Sequence, residues 1–163
     1  MSAPTRASVT IDVAAPPEVV YDLIADLTRM GEWSPECAGG AWLTDERGSG
    51  ARFKGRNRRG LVRWSTIAEV LIADRPRELS FATLHRELPA TRWTYHLVPV
   101  GDGTRLTESF EAVRTPVLIG LAERFVLRNR QQQLEAGIEH TLEAIKAAAE
   151  QEGARRRGLP VES

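Results

Sequence analysis

Residues 7–13 alternate strictly, with Val9, Ile11 and Val13 on one side and Ser8, Thr10 and Asp12 on the other. A period of two predicts a strand buried on one face. The period then lengthens. Val20, Leu23, Ile24 and Leu27 recur at three- and four-residue spacing behind Pro16 and Pro17. This predicts a short helix with proline in its first turn and Glu18 at the positive end of its dipole. Asp22 and Asp26 fall on its wet side. Thr28 is placed to cap a second short helix ending near Trp33, ahead of Pro35. Residues 35–40, rich in Pro, Cys, Ala and Gly, read as a loop.

From Ala41 the period of two returns. Strands are expected at 41–44, 51–57, 61–73, 78–85, 91–100 and 105–113. Between them lie turns at 45–50, 58–60, 74–77 and 101–103, and a loop at 87–90. Strands joined by tight turns pair as an antiparallel meander.

The longest helical pattern closes the chain at 115–153. Thr115 reads as its N-cap, Pro116 as its first position and Gly153 as its stop, with the basic run 155–157 beyond. Leu134, Ile138, Thr141, Leu142, Ile145 and Ala148 form one apolar stripe, while Glu135, Glu139, Glu143 and Lys146 face water. Residues 117–127 are apolar around most of the circumference, so they are expected to be covered on more than one side. Gly137 costs about 1 kcal/mol relative to alanine, which a close backbone approach or a bend would explain. The expected fold is α+β: a curved antiparallel sheet of six to seven strands wrapped around a long C-terminal helix, with two short helices after the first strand. It forms one domain over 1–153, with a disordered tail at 154–163. The space between a curved sheet and a helix is where a ligand would sit.

The strand faces suggest what such a space would offer. Alternation groups Val62, Trp64, Thr66, Ala68, Val70 and Ile72, then Leu79, Phe81 and Thr83, then Trp93, Tyr95 and Leu97, then Leu106, Glu108 and Phe110. Assigned to the concave face, they make an apolar, aromatic wall, which is either an ordinary core or a pocket. Glu108 favours the pocket, because a buried carboxylate needs a partner or a raised pKa. Tyr95, a Trp indole, Thr66 or the polar end of a ligand would serve. The alternative is a bulge that turns Glu108 outward. Ile138 and Leu142 face the same space from the helix.

Composition narrows the functional classes. The 163 residues suit one domain, and 42% hydrophobic with 27% charged residues is an ordinary globular balance. Twenty-two basic and 22 acidic side chains cancel, so overall charge points to no nucleic-acid partner. Arg52, Lys54, Arg56, Arg58, Arg59 and Arg63 do cluster, with no acid between Arg47 and Ala68. That run reads either as a partner surface or as a solvated outer face guarding an edge strand. The single Cys37 excludes an internal disulfide and a cysteine zinc cage. His85, His96 and His140 lie in separate elements, so neither a metal nor a cofactor is expected. There is no nucleophile elbow, phosphate loop or dinucleotide glycine motif. No leader and no run of 18 apolar residues appears, so a cytoplasmic monomer or homodimer without a transmembrane segment is expected.

The stretch 9–36 joins a strand to an Ala14-Ala15-Pro16-Pro17-Glu18 helix start and a Trp33-Ser34-Pro35 turn. It resembles the opening of polyketide cyclase/dehydrase-like proteins of the START-like, Bet v 1-like helix-grip superfamily. Residues 103–110 resemble that family's last strand, and the similarity spans about 7–150. The resemblance implies a hydrophobic cavity between sheet and helix, open near the helical loops, with Trp33 near its entrance. Its members include lipid carriers, hormone receptors, aromatic polyketide cyclases and quinone-binding chaperones. No catalytic set carries over residue by residue. His96 alternates away from Trp93 and Tyr95, which argues against a role in the cavity.

Three functions follow. The first is binding or transport of a small hydrophobic lipid, polyketide or aromatic molecule, lined by Trp33, Trp64, Thr66, Phe81, Trp93, Tyr95, Glu108, Phe110, Ile138 and Leu142. The second is a polyketide cyclase or dehydratase, with Glu108 as general base and Tyr95 as hydrogen-bond donor. The third is an interaction protein that uses the basic strand face.

Overall fold

The computed structural model describes residues 6–113 and 122–158, with side chains for all of these except 122–130. The expected cap at Thr115-Pro116 and the apolar segment 117–121 lie outside the described residues, as do the side chains of 122–127. Strand β1 (Arg6–Val13) leads into helix α1 (Pro17–Ala25) and a 3₁₀ turn (Leu27–Glu32). Then come β2 (Cys37–Trp42), β3 (Arg52–Arg59), β4 (Val62–Asp74), β5 (Glu78–His85), β6 (Leu88–Val100), β7 (Gly103–Ala112) and the long α2 (Ala122–Arg156). The seven strands make one antiparallel sheet in the order β1-β7-β6-β5-β4-β3-β2. This is the helix-grip arrangement expected from the sequence.

Several local expectations are corrected. The residues expected as a loop at 35–40 already belong to β2 from Cys37, because a register shift between Cys37 and Gly40 hides the alternation. Asp26, not Thr28, caps the 3₁₀ turn, and its carboxylate accepts the Thr28 N–H at 3.2 Å. The loop expected at 87–90 is mostly strand, since β6 begins at Leu88 after a two-residue turn, Arg86-Glu87. β3 is an interior strand, so its basic residues guard no edge.

Helix α2 passes through Gly153 instead of stopping there, and ends at Arg156 before Gly158, which has φ +69°. The reason is packing. Gly153 is buried, and a Cβ on it would lie 3.3 Å from that of Ala15. Gly137 has no close backbone to explain it, since no described atom lies within 4 Å of the Cβ it lacks.

The helix lies along β1 and runs in the same direction. Gln131 donates to the Arg6 carbonyl at 2.7 Å, Lys146 to that of Asp12 at 2.7 Å, and Glu150 accepts from the Ala14 N–H at 2.9 Å. Lys146, expected to face water, is thus a tether to β1. On the other side Arg59, near the far edge of the sheet, donates to Gln133 at 3.2 Å. Residues two apart on one helix therefore meet opposite ends of the sheet, which shows how far it curls. The buried core under α2 includes Val20, Ile24, Leu97, Leu106, Ile138, Leu142 and Ile145.

Candidate functional site

The inner face is built in rows across the strands, because directly opposed residues share a face. Ile11, Leu106 and Leu97 form one row, with both leucines buried and Ile11 partly so. Val9, Glu108, Tyr95 and Leu79 form the next, then Ala7, Phe110, Trp93, Phe81 and Val70. β6 and β7 pair without a register shift from Thr91 to Val100, so the alternation that turns Glu108 inward is unbroken. The outward bulge is thereby excluded, and Glu108 is only 3% exposed.

Tyr95 donates its hydroxyl to Oε1 of Glu108 at 3.0 Å. Oε2 is buried and has no hydrogen-bond partner among the described residues. Burial pushes the Glu108 carboxyl from 4.5 up to about 8, and the Tyr95 hydrogen bond opposes the rise. Burial, and then the charge of Glu108, also raise the Tyr95 phenol well above its ordinary value. At neutral pH the protonated acid therefore predominates. Its carbonyl oxygen accepts from Tyr95, and its own hydroxyl has a proton to donate to an acceptor.

Exposure increases from this row toward one rim of the sheet. Trp93 and Phe110 meet edge to face, with ring centroids 4.8 Å apart, and are only partly buried. Trp64 is 38% exposed and Val62 65%. Thr66, expected as a candidate partner for Glu108, instead accepts from Asn57 Nδ2 at 3.0 Å. Ile72 does not share the face of Val70. Leu71 is an extra residue in the β4–β5 register, and beyond it Ile72 turns out to 42% exposure.

Trp33 is buried beside a cleft of about 330 Å³ at the same rim, between the 3₁₀ turn, the start of β2 and α2. Glu36, Cys37, Arg58 and His140 also line this cleft. Neither Glu108 nor Tyr95 does, so the structure separates the expected entrance from the expected polar anchor. Ile138 and Leu142 are buried under α2. The Cys37 thiol is raised by burial and points at the Gly39 carbonyl, which gives it no nucleophilic character. Among the described residues, no three His, Cys, Asp or Glu side chains gather as metal ligands. No described helix is long and apolar enough to cross a membrane.

Leu61, fully exposed at the turn between β3 and β4, is not among the residues the sequence pointed to, and its only indication there is an apolar Leu61-Val62 pair inside a basic run.

Comparison with known proteins agrees with this geometry. The sequence profile of the family described as "Polyketide cyclase / dehydrase and lipid transport" matches residues 4–150. No curated protein matches the sequence. Among solved structures, a Polyketide_cyc-like protein from Corynebacterium glutamicum is 34% identical, over 93% of this chain and 95% of that one, with a TM-score of 0.65. The Zhui aromatase/cyclase from Streptomyces sp. R1128 is 17% identical over 95% and 96% of the two chains, with a TM-score of 0.67. A START superfamily protein from Mycobacterium smegmatis is 18% identical over 94% and 99%, with a TM-score of 0.63. The last two show likeness of fold alone.

Proposed function

The chain belongs to the polyketide cyclase/dehydrase and lipid transport family, and from that premise we propose that it binds a small apolar molecule carrying a carbonyl group. One observation carries the proposal. The inner face holds a buried carboxyl group with one oxygen satisfied by Tyr95 and the other unpartnered among the described residues. An unpartnered buried polar atom costs about 1–3 kcal/mol, so it calls for an explanation. A ligand carbonyl accepting the Glu108 proton supplies one. Phe81, Trp93 and Phe110 flank the acid on the rim side and would hold a ring or an acyl chain.

The test uses the ketone-bearing naphthalene dye prodan and its ketone-free parent, 2-dimethylaminonaphthalene. Prodan should bind saturably with blue-shifted emission, and Glu108→Leu should weaken it about tenfold, the loss of one good hydrogen bond. The parent should bind both proteins equally. Absence of saturable prodan binding, or equal prodan affinity in the variant, would remove the reading.

The raised pKa also favours a second reading, catalysis. An acid near 8 can give its proton to a ketone oxygen, and the carboxylate left behind, held by Tyr95, can take the proton from the adjacent carbon, which yields the enol and restores the acid. This role is acid first, whereas the sequence suggested a general base. Loss of water from a short synthetic poly-β-ketone, read by mass spectrometry and abolished in Glu108→Gln, would separate an enzyme from a carrier.

A further inference from the structure

We propose that the β3–β4 hairpin is a membrane-docking arm, and that its partner is the surface of an anionic lipid bilayer. β4 pairs with β5 only from Ile67, so residues Val62, Arg63, Trp64, Ser65 and Thr66 pair with β3 alone. At about 3.3 Å per residue, the arm projects roughly 15 Å past the end of β5. Its tip is a two-residue turn, with Gly60 at φ +60° in the place glycine fills in a type II′ hairpin. That geometry leaves the next residue, Leu61, pointing wholly into solvent. Val62 is 65% exposed and Trp64 38%.

Three apolar side chains in four positions are thus held at the end of a hairpin that β2 braces as far as Asn57 and that Arg59 ties to Gln133 of α2. Solvated hairpin tips are ordinarily polar, since turns favour Asn, Asp, Ser and Gly. From Leu61 to Trp64 the strand rises about 10 Å, which matches the 5–10 Å to which interfacial elements sink below the headgroups. Trp64 would then sit at the depth where amphipathic rings collect.

Charge selects the partner. Arg58 and Arg63 oppose each other directly across the arm, a like-charge pair that opposes folding. Glu36 reaches the run only at Arg59, 3.6 Å away, and no described acidic side chain pairs with Arg58 or Arg63. Arg56 precedes them on the same face, and no acid occurs in the sequence between Arg47 and Ala68. The whole chain is neutral, so this is a local field and not a general excess. Cations with aliphatic stems beside a protruding apolar tip fit a surface that is anionic outside and apolar within. A nucleic acid would use the arginines and leave Leu61 unexplained. A protein partner would need a pocket to receive the tip.

The proposal does not depend on ligand binding. Prodan binding can fail while docking holds, and the reverse. The test is co-sedimentation with large vesicles of phosphatidylcholine alone, or with 30% phosphatidylglycerol, at low and high salt. The intact protein should pellet with the anionic vesicles and much less with the neutral ones. Leu61→Ser should weaken this binding about tenfold, because the side chain is already in solvent and its loss costs the fold nothing. Arg58→Gln with Arg63→Gln should weaken it about 25-fold, fivefold for each charge. Brominated lipids should quench tryptophan fluorescence in the intact protein and much less in Trp64→Phe.

Four outcomes would overturn the proposal. The first is failure to pellet with anionic vesicles at low salt. The second is equal binding to them after Leu61→Ser. The third is binding to duplex DNA of equal charge as tight as to the vesicles. The fourth is a dimer that Leu61→Ser dissociates, with no lipid affinity.

Discussion

Tyr95 and Glu108 stand directly opposite each other on β6 and β7, and the phenol donates to Oε1 of the acid across 3.0 Å. The pair is locked by register: Trp93 opposes Phe110 on one side of it and Leu97 opposes Leu106 on the other. An apolar row thus lies on each side of the only acid buried among the described residues. This placement sets both the proton chemistry of the site and part of the stability of the fold.

The proton linkage has a definite sign. Glu108 has a carboxyl pKa of 4.5 when exposed and about 8 in the folded chain. Below about pH 4.5 both states hold the proton. Between there and about 8 only the folded state does, so its stability falls as pH rises, by up to about 1.4 kcal/mol per unit. Above about 8 the loss is complete. Glu108→Gln carries no such proton. Urea unfolding from pH 5 to 9 should therefore show the variant gaining on the parent with each unit up to about 8, and then no further. Histidine titrations common to both proteins cancel in the difference. Parallel curves would mean that the acid is not buried as described.

Tyr95→Phe tests the other half of the pair. It leaves Oε1 unpartnered, and the expected cost is about 1–3 kcal/mol. The Tyr95 hydrogen bond lowers the Glu108 pKa, so its loss should raise that pKa further. Carboxyl titration followed by isotope-edited NMR would read this directly. The cost should be greater at pH 9 than at pH 6, because the lost bond is stronger to the carboxylate than to the acid.

The sequence disclosed the parts of this site that rest on strict alternation. Leu106, Glu108 and Phe110 read as one face, and they are one, because β7 carries no register shift against β6. Ile72 read wrongly for the opposite reason, since one extra residue at Leu71 reverses every side chain beyond it. The start of β2 was hidden by its bulge at Gly39-Gly40 and by a composition that looks like loop. Spacing could not show that Thr66 belongs to Asn57, because that contact is a diagonal one set by the register, with Gly55 opposite Thr66 and Asn57 opposite Trp64. The unequal lengths expected for 61–73 and 78–85 already implied that β4 outruns β5, but not how far Leu61 and Val62 would be bared. The order of strands, tight turns and closing helix already implied a curved sheet around a long helix, and the family resemblance agreed with it. The pairing of Tyr95 with Glu108 comes from the register.

The β5–β6 turn stores strain that can be removed. Arg86 and Glu87 occupy its two central positions at φ 51° and 63°, the left-handed region. Side chains other than glycine or asparagine pay roughly 1–2 kcal/mol there. Glu87 also pairs with Arg52 at 2.7 Å, but both side chains are exposed and such pairs contribute about 0–1 kcal/mol. Arg86→Asn with Glu87→Gly should therefore raise stability by about 1 kcal/mol and Tm by about 2–4 °C. A lower melting temperature in calorimetry would show that the ion pair outweighs the backbone.

Two glycines should respond in opposite directions to the same substitution. A Cβ on Gly40 would run into the Lys54 carbonyl oxygen and the Phe53 ring. That ring is itself held edge-on against Trp42 with centroids 5.6 Å apart, so it cannot give way without disturbing the β2–β3 pair. Gly40→Ala should cost about 1–3 kcal/mol through overpacking. Gly137 sits in the middle of α2, where no described atom approaches the missing Cβ. Alanine there removes a glycine from a helix interior and adds no clash, so Gly137→Ala should gain about 1 kcal/mol. Urea midpoints measured side by side would check both. A neutral Gly40→Ala would mean that β2 leaves the sheet easily, and the cleft beside Trp33 would then lose its wall at Cys37 and Ala38. A destabilising Gly137→Ala would mean that the space beside the helix is filled in solution, and the prodan titration would then be repeated on that variant to learn whether the filled space is the ligand's.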